Sequence, residues 1–238
     1  MKAIFFISLF SFLLLFISCD EEVIHPSGET VELTFDFEGY SGLYLANSFN
    51  VDLSFSDTEE SIRIIADENV MPYVEIFTDG DFLALRLKED IRVKSRYTLS
   101  AVISTEFVDK YQLSGASEIE MQDLLAAEEV QIQLSGASKF NGTIDAVEIF
   151  ADLSGASEMT LEGITEQYYL ELSGASKAGD FDFASDYLEA DLSGASYCNV
   201  TVNEEIKIRA SGASFLNFKG PAVIVEQDIS GGSAINHL

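Results

Sequence analysis

The chain has 238 residues, 41 of them acidic and 13 basic, so its formal net charge at neutral pH is −28. A charge this negative argues against nucleic acid and anionic lipid headgroups as partners for the body of the protein, because like charges repel. A mature chain of about 220 residues suits one elongated domain, and no linker rich in Pro, Gly or Ser divides it.

The first nineteen residues predict an export signal. Met1 and Lys2 precede an apolar run over residues 3–17, which is too short for a comfortable transmembrane helix. Residues 16–19, Phe-Ile-Ser-Cys, resemble the lipobox of bacterial lipoproteins, although the common pattern has leucine in place of Phe16. We therefore predict a lipoprotein signal peptide over residues 1–19 that ends at the lipidation site Cys19. An ordinary signal peptide is the alternative.

An acidic segment follows the cysteine. Asp20, Glu21 and Glu22 lead into a polar stretch, and we predict a tether over residues 20–30. Acidic residues directly after the lipid cysteine resemble the signal that sends lipoproteins of Bacteroidetes-type bacteria to the cell surface; a simple solvated leader is the alternative. The resemblance implies an outer membrane lipoprotein, surface-exposed or else on the periplasmic face. In other bacteria an aspartate directly after the cysteine indicates retention at the inner membrane instead. The only predicted membrane contact of the protein is the N-terminal lipid.

The next segment alternates apolar and polar residues in the manner of β-strands, for example over residues 31–37 and 49–55. Asp79-Gly80 is a hairpin turn signal between two further strands. We predict an N-terminal β section that caps the rest of a single domain over residues 31–238. Five of the thirteen basic residues lie close together in this section: Arg86, Lys88, Arg92, Lys94 and Arg96. They could bind phosphate or an acidic glycan, or simply offset neighbouring carboxylates.

A five-residue motif, Leu-Ser-Gly-Ala-Ser or a near copy, then recurs seven times with steps of 18 to 21 residues. This period is typical of stacked solenoid repeats. Period-two alternation on both sides of the motif predicts strand, bend, strand and turn in each repeat. The predicted fold class is all-β, a parallel β-helix-like solenoid of about 19-residue coils with the N-terminal β section. The motif glycines are Gly115, Gly136, Gly155, Gly174, Gly194, Gly212 and Gly231.

Alignment on the motif glycine predicts three columns along the solenoid. Two are apolar and are predicted to face the core, whereas the third is polar and is predicted to face water. A register slip of one residue would destroy all three. The first apolar column is Leu113, Leu134, Leu153, Leu172, Leu192, Ala210 and Ile229; the second is Ile119, Phe140, Met159, Ala178, Cys198, Leu216 and Ile235; the polar column is Gln112, Gln133, Asp152, Glu171, Asp191, Arg209 and Asp228.

The same register points Phe150 and Tyr169 outward on adjacent coils. Two stacked aromatic rings could bind a sugar or a protein, or could pack against a neighbouring side chain. The motif serines are predicted to be structural, because a nucleophile needs a base and the chain has two histidines. No catalytic residue and no cofactor are predicted. No metal site is predicted either, because the calcium-binding nonapeptide of β-rolls is absent.

The order of motifs resembles the head GIN domain family, also called putative auto-transporter adhesins, over roughly residues 32–235. The match includes the strand 49–53, the turn 66–69, Asp79-Gly80, the repeated motif and the closing segment 219–223. It implies a right-handed β-helix-like fold, an adhesin role and no established catalytic residues. We predict a non-enzymatic envelope protein. A polysaccharide-active β-helix enzyme and an envelope scaffold or assembly module are the alternatives, although the uniform coils lack the insertions that build an enzyme cleft.

Overall fold

Alternating apolar and polar side chains place most of the chain in β-strands. The computed structural model describes residues 22–58 and 60–238. Within these ranges no helix is long and apolar enough to span a membrane. A short 3-10 helix spans Met71–Tyr73. The strands are β1 (Glu22–Ile24), β2 (Thr30–Phe35), β3 (Gly42–Leu45), β4 (Asn50–Phe55), β5 (Ser61–Asp67), β6 (Val74–Asp79), β7 (Phe82–Leu87), β8 (Ile91–Val93), β9 (Leu99–Thr105), β10 (Lys110–Leu113), β11 (Glu118–Leu134), β12 (Lys139–Leu153), β13 (Glu158–Leu172), β14 (Lys177–Ala178), β15 (Phe183–Leu192), β16 (Tyr197–Ala210), β17 (Phe215–Lys219), β18 (Val223–Ile229) and β19 (Ala234–His237).

The predicted solenoid and its register are confirmed. Leu153 pairs in parallel with Leu134 on one side and with Leu172 on the other, and all three side chains are buried. Both apolar columns continue in this register to the last coil, and the polar column lies on the outer surface. Ile229 is 38% exposed because it belongs to the terminal coil, which is covered on one side only.

The Ser-Gly-Ala-Ser bend requires glycine for two reasons, which Gly155 illustrates. Its φ of +76° is unfavourable for any residue with a side chain. A Cβ at this position would also lie 2.5 Å from the carbonyl oxygen of Gly136 in the preceding coil. That oxygen accepts a hydrogen bond from the amide of Ala156 at 2.7 Å. The motif therefore brings the coils together at one corner.

The serines of the motif stabilise this bend by hydrogen bonds. The Oγ of Ser138 donates a hydrogen bond to the carbonyl oxygen of Ser135 at 2.7 Å, and four other motifs close in the same way. The final serine of the motif is buried in six of the coils. Ser176 also donates to the carbonyl oxygen of Leu153 in the preceding coil, at 3.1 Å. In five of these coils the hydroxyl is occupied by a backbone acceptor, which is a structural role, whereas the buried Oγ of Ser196 has no hydrogen-bond partner in the described residues.

The N-terminal section adds two rungs to the solenoid and also caps it. β3 and β4 run parallel to β10 and β11, so that Leu45 lies opposite Leu113 and Val51 opposite Ile119. β7 and β9 form a further rung, parallel to β3 and β4. β5 then pairs antiparallel with β9 and β2, and β6 pairs antiparallel with β7. These antiparallel strands end the parallel stack. The first rung along the axis is thus formed by β7 and β9, which come later in the sequence than β3 and β4 of the second rung.

The segment expected to act as a tether contains a paired strand. β1 runs parallel to β8 with Glu22 opposite Ile91, and the side chain of Ile24 is buried. Within the predicted acidic tether of residues 20–30, Glu22–Ile24 are therefore attached to the domain, because the apolar side chain of Ile24 packs into the core. The predicted signal peptide and Cys19 lie outside the described residues.

Candidate binding surface

Phe150 and Tyr169 form a stacked pair on the outer surface of the solenoid. They occupy paired positions on β12 and β13, with ring centroids 4.7 Å apart and ring planes within 5° of parallel. Phe150 is 38% exposed. The outward orientation follows from the period of two, because the flanking residues Ile149 and Ala151 point into the core.

Each ring keeps one face that is not covered by its stacking partner. The free face of Phe150 lies toward Gln131 on the preceding coil, and the free face of Tyr169 lies toward Glu189 on the following coil. Two shallow hollows flank the pair, each between the column that contains Phe150 and Tyr169 and a neighbouring column of outward side chains. The hollow beside Phe150 is lined by Gln131, Gln133, Asp152 and Glu171, and that beside Tyr169 by Gln167, Tyr187, Glu189, Glu205 and Lys207.

Hydrogen bonds fix the two tyrosine rings beside the second hollow. The Tyr169 hydroxyl donates to Oε1 of Gln167 at 2.6 Å, and the Tyr187 hydroxyl donates to Oε2 of Glu204 at 2.5 Å. The bond to the Glu204 carboxylate raises the pKa of Tyr187. Apolar ring faces bordered by amide, carboxylate and ammonium groups provide both stacking and hydrogen bonding for a small polar ligand.

Sequence reasoning did not identify the second hollow, although the signal was present. Tyr187 precedes its motif glycine by seven residues, as Gln167 does, and Lys207 stands in the same column as Tyr169. The glycine alignment therefore brings these residues onto neighbouring coils. The alignment does not give the side-chain conformation in which the Tyr187 hydroxyl donates a hydrogen bond to Glu204.

The five clustered basic residues separate into two groups in the structure. In the first group, Nε of Arg86 contacts Oε2 of Glu75 at 3.0 Å, and the guanidinium lies over the Phe77 ring at 5.1 Å. Lys88 donates from Nζ to the carbonyl oxygen of Pro72 at 3.0 Å. Intramolecular partners therefore engage both residues: a carboxylate in the case of Arg86 and a backbone carbonyl in the case of Lys88.

The second group is Arg92, Lys94 and Arg96, on and directly after β8. All three are exposed, and none forms an ion pair with any residue of the two described ranges. This group lies at the end of the solenoid remote from the terminal coil, far from Phe150 and Tyr169 along the axis. The structure therefore does not bring the basic residues and the aromatic pair into one site.

Three exposed carboxylates stand in one column of the outer surface. Asp152, Glu171 and Asp191 lie in register on consecutive coils. In the part of the chain that the structure describes, no group of three or more His, Cys, Asp or Glu side chains is placed to hold a metal ion. Desolvation raises the pKa of Asp109, whose buried Oδ1 has no hydrogen-bond partner in the described residues. Asp109 lines neither of the hollows beside the aromatic pair.

A protein-family model described as "putative auto-transporter adhesin, head GIN domain" matches residues 39–222. The chain belongs to this family. The match confirms the resemblance seen over residues 32–235, and membership associates the chain with proteins of the cell surface or envelope. No curated protein matches the sequence.

Several solved structures share the fold of this chain. A putative adhesin from Bacteroides fragilis superposes with a TM-score of 0.84 at 15% identity, covering 90% of this chain and 100% of that one. A putative adhesin from Parabacteroides distasonis gives a TM-score of 0.73 at 15% identity, with 91% and 100% covered. A putative lipid binding protein from the same species gives 0.73 at 15% identity, again with 91% and 100% covered. At this identity the likeness is one of fold.

Proposed function

We propose that this protein is a non-enzymatic, lipid-anchored outer membrane protein that presents its solenoid at the cell surface as a saccharide-binding module. The observation that carries the proposal is the stacked pair formed by the exposed Phe150 and the partly exposed Tyr169. Their nearest neighbours in that column, Gln131, Glu189 and Lys207, are exposed polar residues.

The exposed rings favour a ligand over a purely structural role. The apolar columns lie on the opposite face of the same strands and are buried without any contribution from Phe150. Exposed aromatic side chains bordered by polar groups are typical of recognition surfaces, because they bury much apolar area with little loss of conformational freedom. A pyranose ring offers an apolar C–H face for the aromatic ring and hydroxyls for Gln167, Glu189 and Lys207.

Two features support binding without catalysis. The motif glycines stay 18 to 21 residues apart, so long insertions that would build a cleft are absent from the repeats. Glycoside hydrolysis also needs one protonated and one ionised carboxyl at a fixed separation. The carboxylates that line the hollows, Asp152 and Glu171 beside Phe150 and Glu189 and Glu205 beside Tyr169, are all exposed on the open outer surface.

A binding and turnover assay tests this proposal. The purified chain from Cys19 to Leu238 is incubated with panels of neutral and acidic polysaccharides. Both binding of each polysaccharide and its cleavage are measured. We expect binding of at least one glycan, and its loss in the double variant Phe150→Ser with Tyr169→Ser. The matched control is Phe107→Ser with Phe215→Ser, which removes two rings of similar exposure elsewhere on the surface.

Three outcomes would overturn parts of the proposal. Binding that survives the Phe150 and Tyr169 double variant would remove these rings from the binding surface. Cleavage of any glycan above a heat-killed control would overturn the non-enzymatic assignment. Binding of phospholipid vesicles in place of every glycan would favour the ligand class suggested by the putative lipid binding protein among the structural neighbours.

A further inference from the structure

We propose that the corner formed by β1 and β8 faces the membrane, with Arg92, Lys94 and Arg96 against phospholipid phosphate groups, and that the remaining coils extend away from the bilayer. This corner belongs to the first rung, where residues 88–98 replace the glycine motif of the other coils. The inference rests on the proposed lipidation of Cys19.

β1 fixes the start of the described chain to this corner. The amide of Glu22 donates to the carbonyl oxygen of Asp90 at 2.8 Å, and the amide of Lys94 donates to that of Ile24 at 2.9 Å. The hydroxyl of Tyr73 donates to Oε1 of Glu22 at 2.8 Å. Together with the buried side chain of Ile24, these bonds hold the chain against the domain three residues after Cys19.

The short span between Cys19 and Glu22 limits how far the corner can lie from a lipid on Cys19. Three residues cover at most about 11 Å when fully extended. The membrane surface is therefore within reach of the long side chains on β8. Successive rungs are about 4.8 Å apart, so Phe215, seven rungs further along the axis, lies about 34 Å from the first rung.

The distribution of charge favours the same orientation. Arg92, Lys94 and Arg96 are free of ion pairs with the described residues and belong to a locally basic segment, residues 86–96, with five basic and two acidic residues. Residues 99–238 contain 23 acidic residues and six basic ones, and the rest of residues 20–98 is acidic as well, so this segment is the surface best suited to phosphate groups. Basic side chains next to a lipid anchor are attracted to phosphate groups, and an acidic surface is repelled by an anionic bilayer. A solenoid lying flat would bring its acidic coils to the headgroups.

This orientation has a consequence for binding. It places Phe150 and Tyr169 on middle coils, clear of the headgroups, and directs the terminal coil away from the cell. A large polysaccharide could then approach the candidate binding surface without contacting the bilayer. An attachment at the other end of the solenoid would have reversed this arrangement.

The test couples the chain from Cys19 to Leu238 to vesicles through Cys19. Equal mixtures of phosphatidylcholine and phosphatidylglycerol carry a maleimide lipid for coupling and a dansyl lipid as energy acceptor. Cys198 does not compete, because burial raises the pKa of its thiol to about 12. The chain lacks tryptophan, so Tyr97→Trp beside β8 and Phe215→Trp near the terminal coil each provide a single energy donor. Circular dichroism first checks that both variants keep the β fold.

We expect strong energy transfer from position 97 and weak transfer from position 215. Equal transfer from the two would show a solenoid lying flat and would overturn the proposal. Replacing Arg92, Lys94 and Arg96 with Gln should reduce the difference in energy transfer between positions 97 and 215 by about half. The matched control neutralises the exposed residues Lys139, Lys177 and Lys207 and should leave it unchanged. If the arginine and lysine variants on and after β8 and the control variants changed the difference in energy transfer equally, the proposed phosphate contact would be wrong.

Failure of the proposed function is distinguishable from failure of this inference. Chemical coupling through Cys19 reports the orientation whether or not cells acylate that residue. Absence of fatty acid on Cys19 in cells would contradict the lipid-anchored assignment. Equal transfer from the two tryptophan positions would contradict the orientation.

Discussion

Gly155 and Gly136 approach so closely that a Cβ on Gly155 would lie 2.5 Å from the Gly136 carbonyl oxygen. The same relationship recurs between the motif glycines of successive coils from Gly136 to Gly231. The repeated glycine is therefore a packing requirement between coils as well as a local bend, and this sets up a direct test.

Gly155→Ala should destabilise the protein strongly. The left-handed backbone conformation costs about 1–2 kcal/mol with a side chain, and the clash adds to it because the opposing atom belongs to the backbone. Gly28→Ala is the matched control, since Gly28 has φ +78° but no atom within 4 Å of the added Cβ. Chemical denaturation should show a clearly larger loss for Gly155→Ala. Equal losses would mean that the close approach contributes nothing.

Leu172→Asp and Glu171→Lys should differ sharply although they are neighbours. Leu172 is 1% exposed in the first apolar column, so an aspartate there buries an unpaired charge and should cost several kcal/mol, roughly 3 or more. Glu171 lies on the outer surface between Asp152 and Asp191, so a lysine should be tolerated and relieve repulsion. Thermal melts measure both, and similar melting temperatures would contradict the register.

Asp109→Asn should stabilise the protein at neutral pH. Desolvation raises the folded-state pKa of Asp109, so the folded state holds this proton more tightly than the unfolded state does. The contribution to stability is complete below the unfolded pKa, near 4, and is lost as pH rises through the folded pKa. The stability of Asp109→Asn relative to the wild type should therefore increase as pH rises through this window.

Melts from acidic to neutral pH measure this gain. Asp228→Asn, on the exposed outer column, is the control and should show little gain. A constant difference between Asp109→Asn and the wild type at every pH would mean that the Asp109 carboxyl does not titrate differently in the two states.

Cys19→Ser should abolish membrane association. The apolar run ends at this residue, and an acylated cysteine would be the attachment. Metabolic labelling with a fatty-acid probe, followed by fractionation, should show label and membrane recovery for the wild type and neither for the variant. Cys198→Ala is the control and should retain both. An unlabelled wild type that partitions like the variant would rule out the anchor.

The sequence by itself determined the repeating part of the fold. A motif spaced by 18 to 21 residues and a strand period of two define which side chains share a column, and this was sufficient to assign Leu153 to the core and Phe150 to the surface. The reason is that each coil packs mainly on its neighbours, so one local pattern, repeated, specifies the whole stack.

Only the tertiary structure decided how the N-terminal section joins the solenoid. β3 and β4 pair with β10 and β11 across more than sixty residues of chain, and β1 pairs with β8 across a similar separation. No repeat marks these pairings in the sequence, because turns other than the glycine motif connect the strands. Packing likewise separated Arg86 and Lys88 from the exposed basic residues on β8 and brought Tyr187 beside Tyr169. Such contacts depend on side-chain geometry and long-range pairing, which local periodicity does not encode.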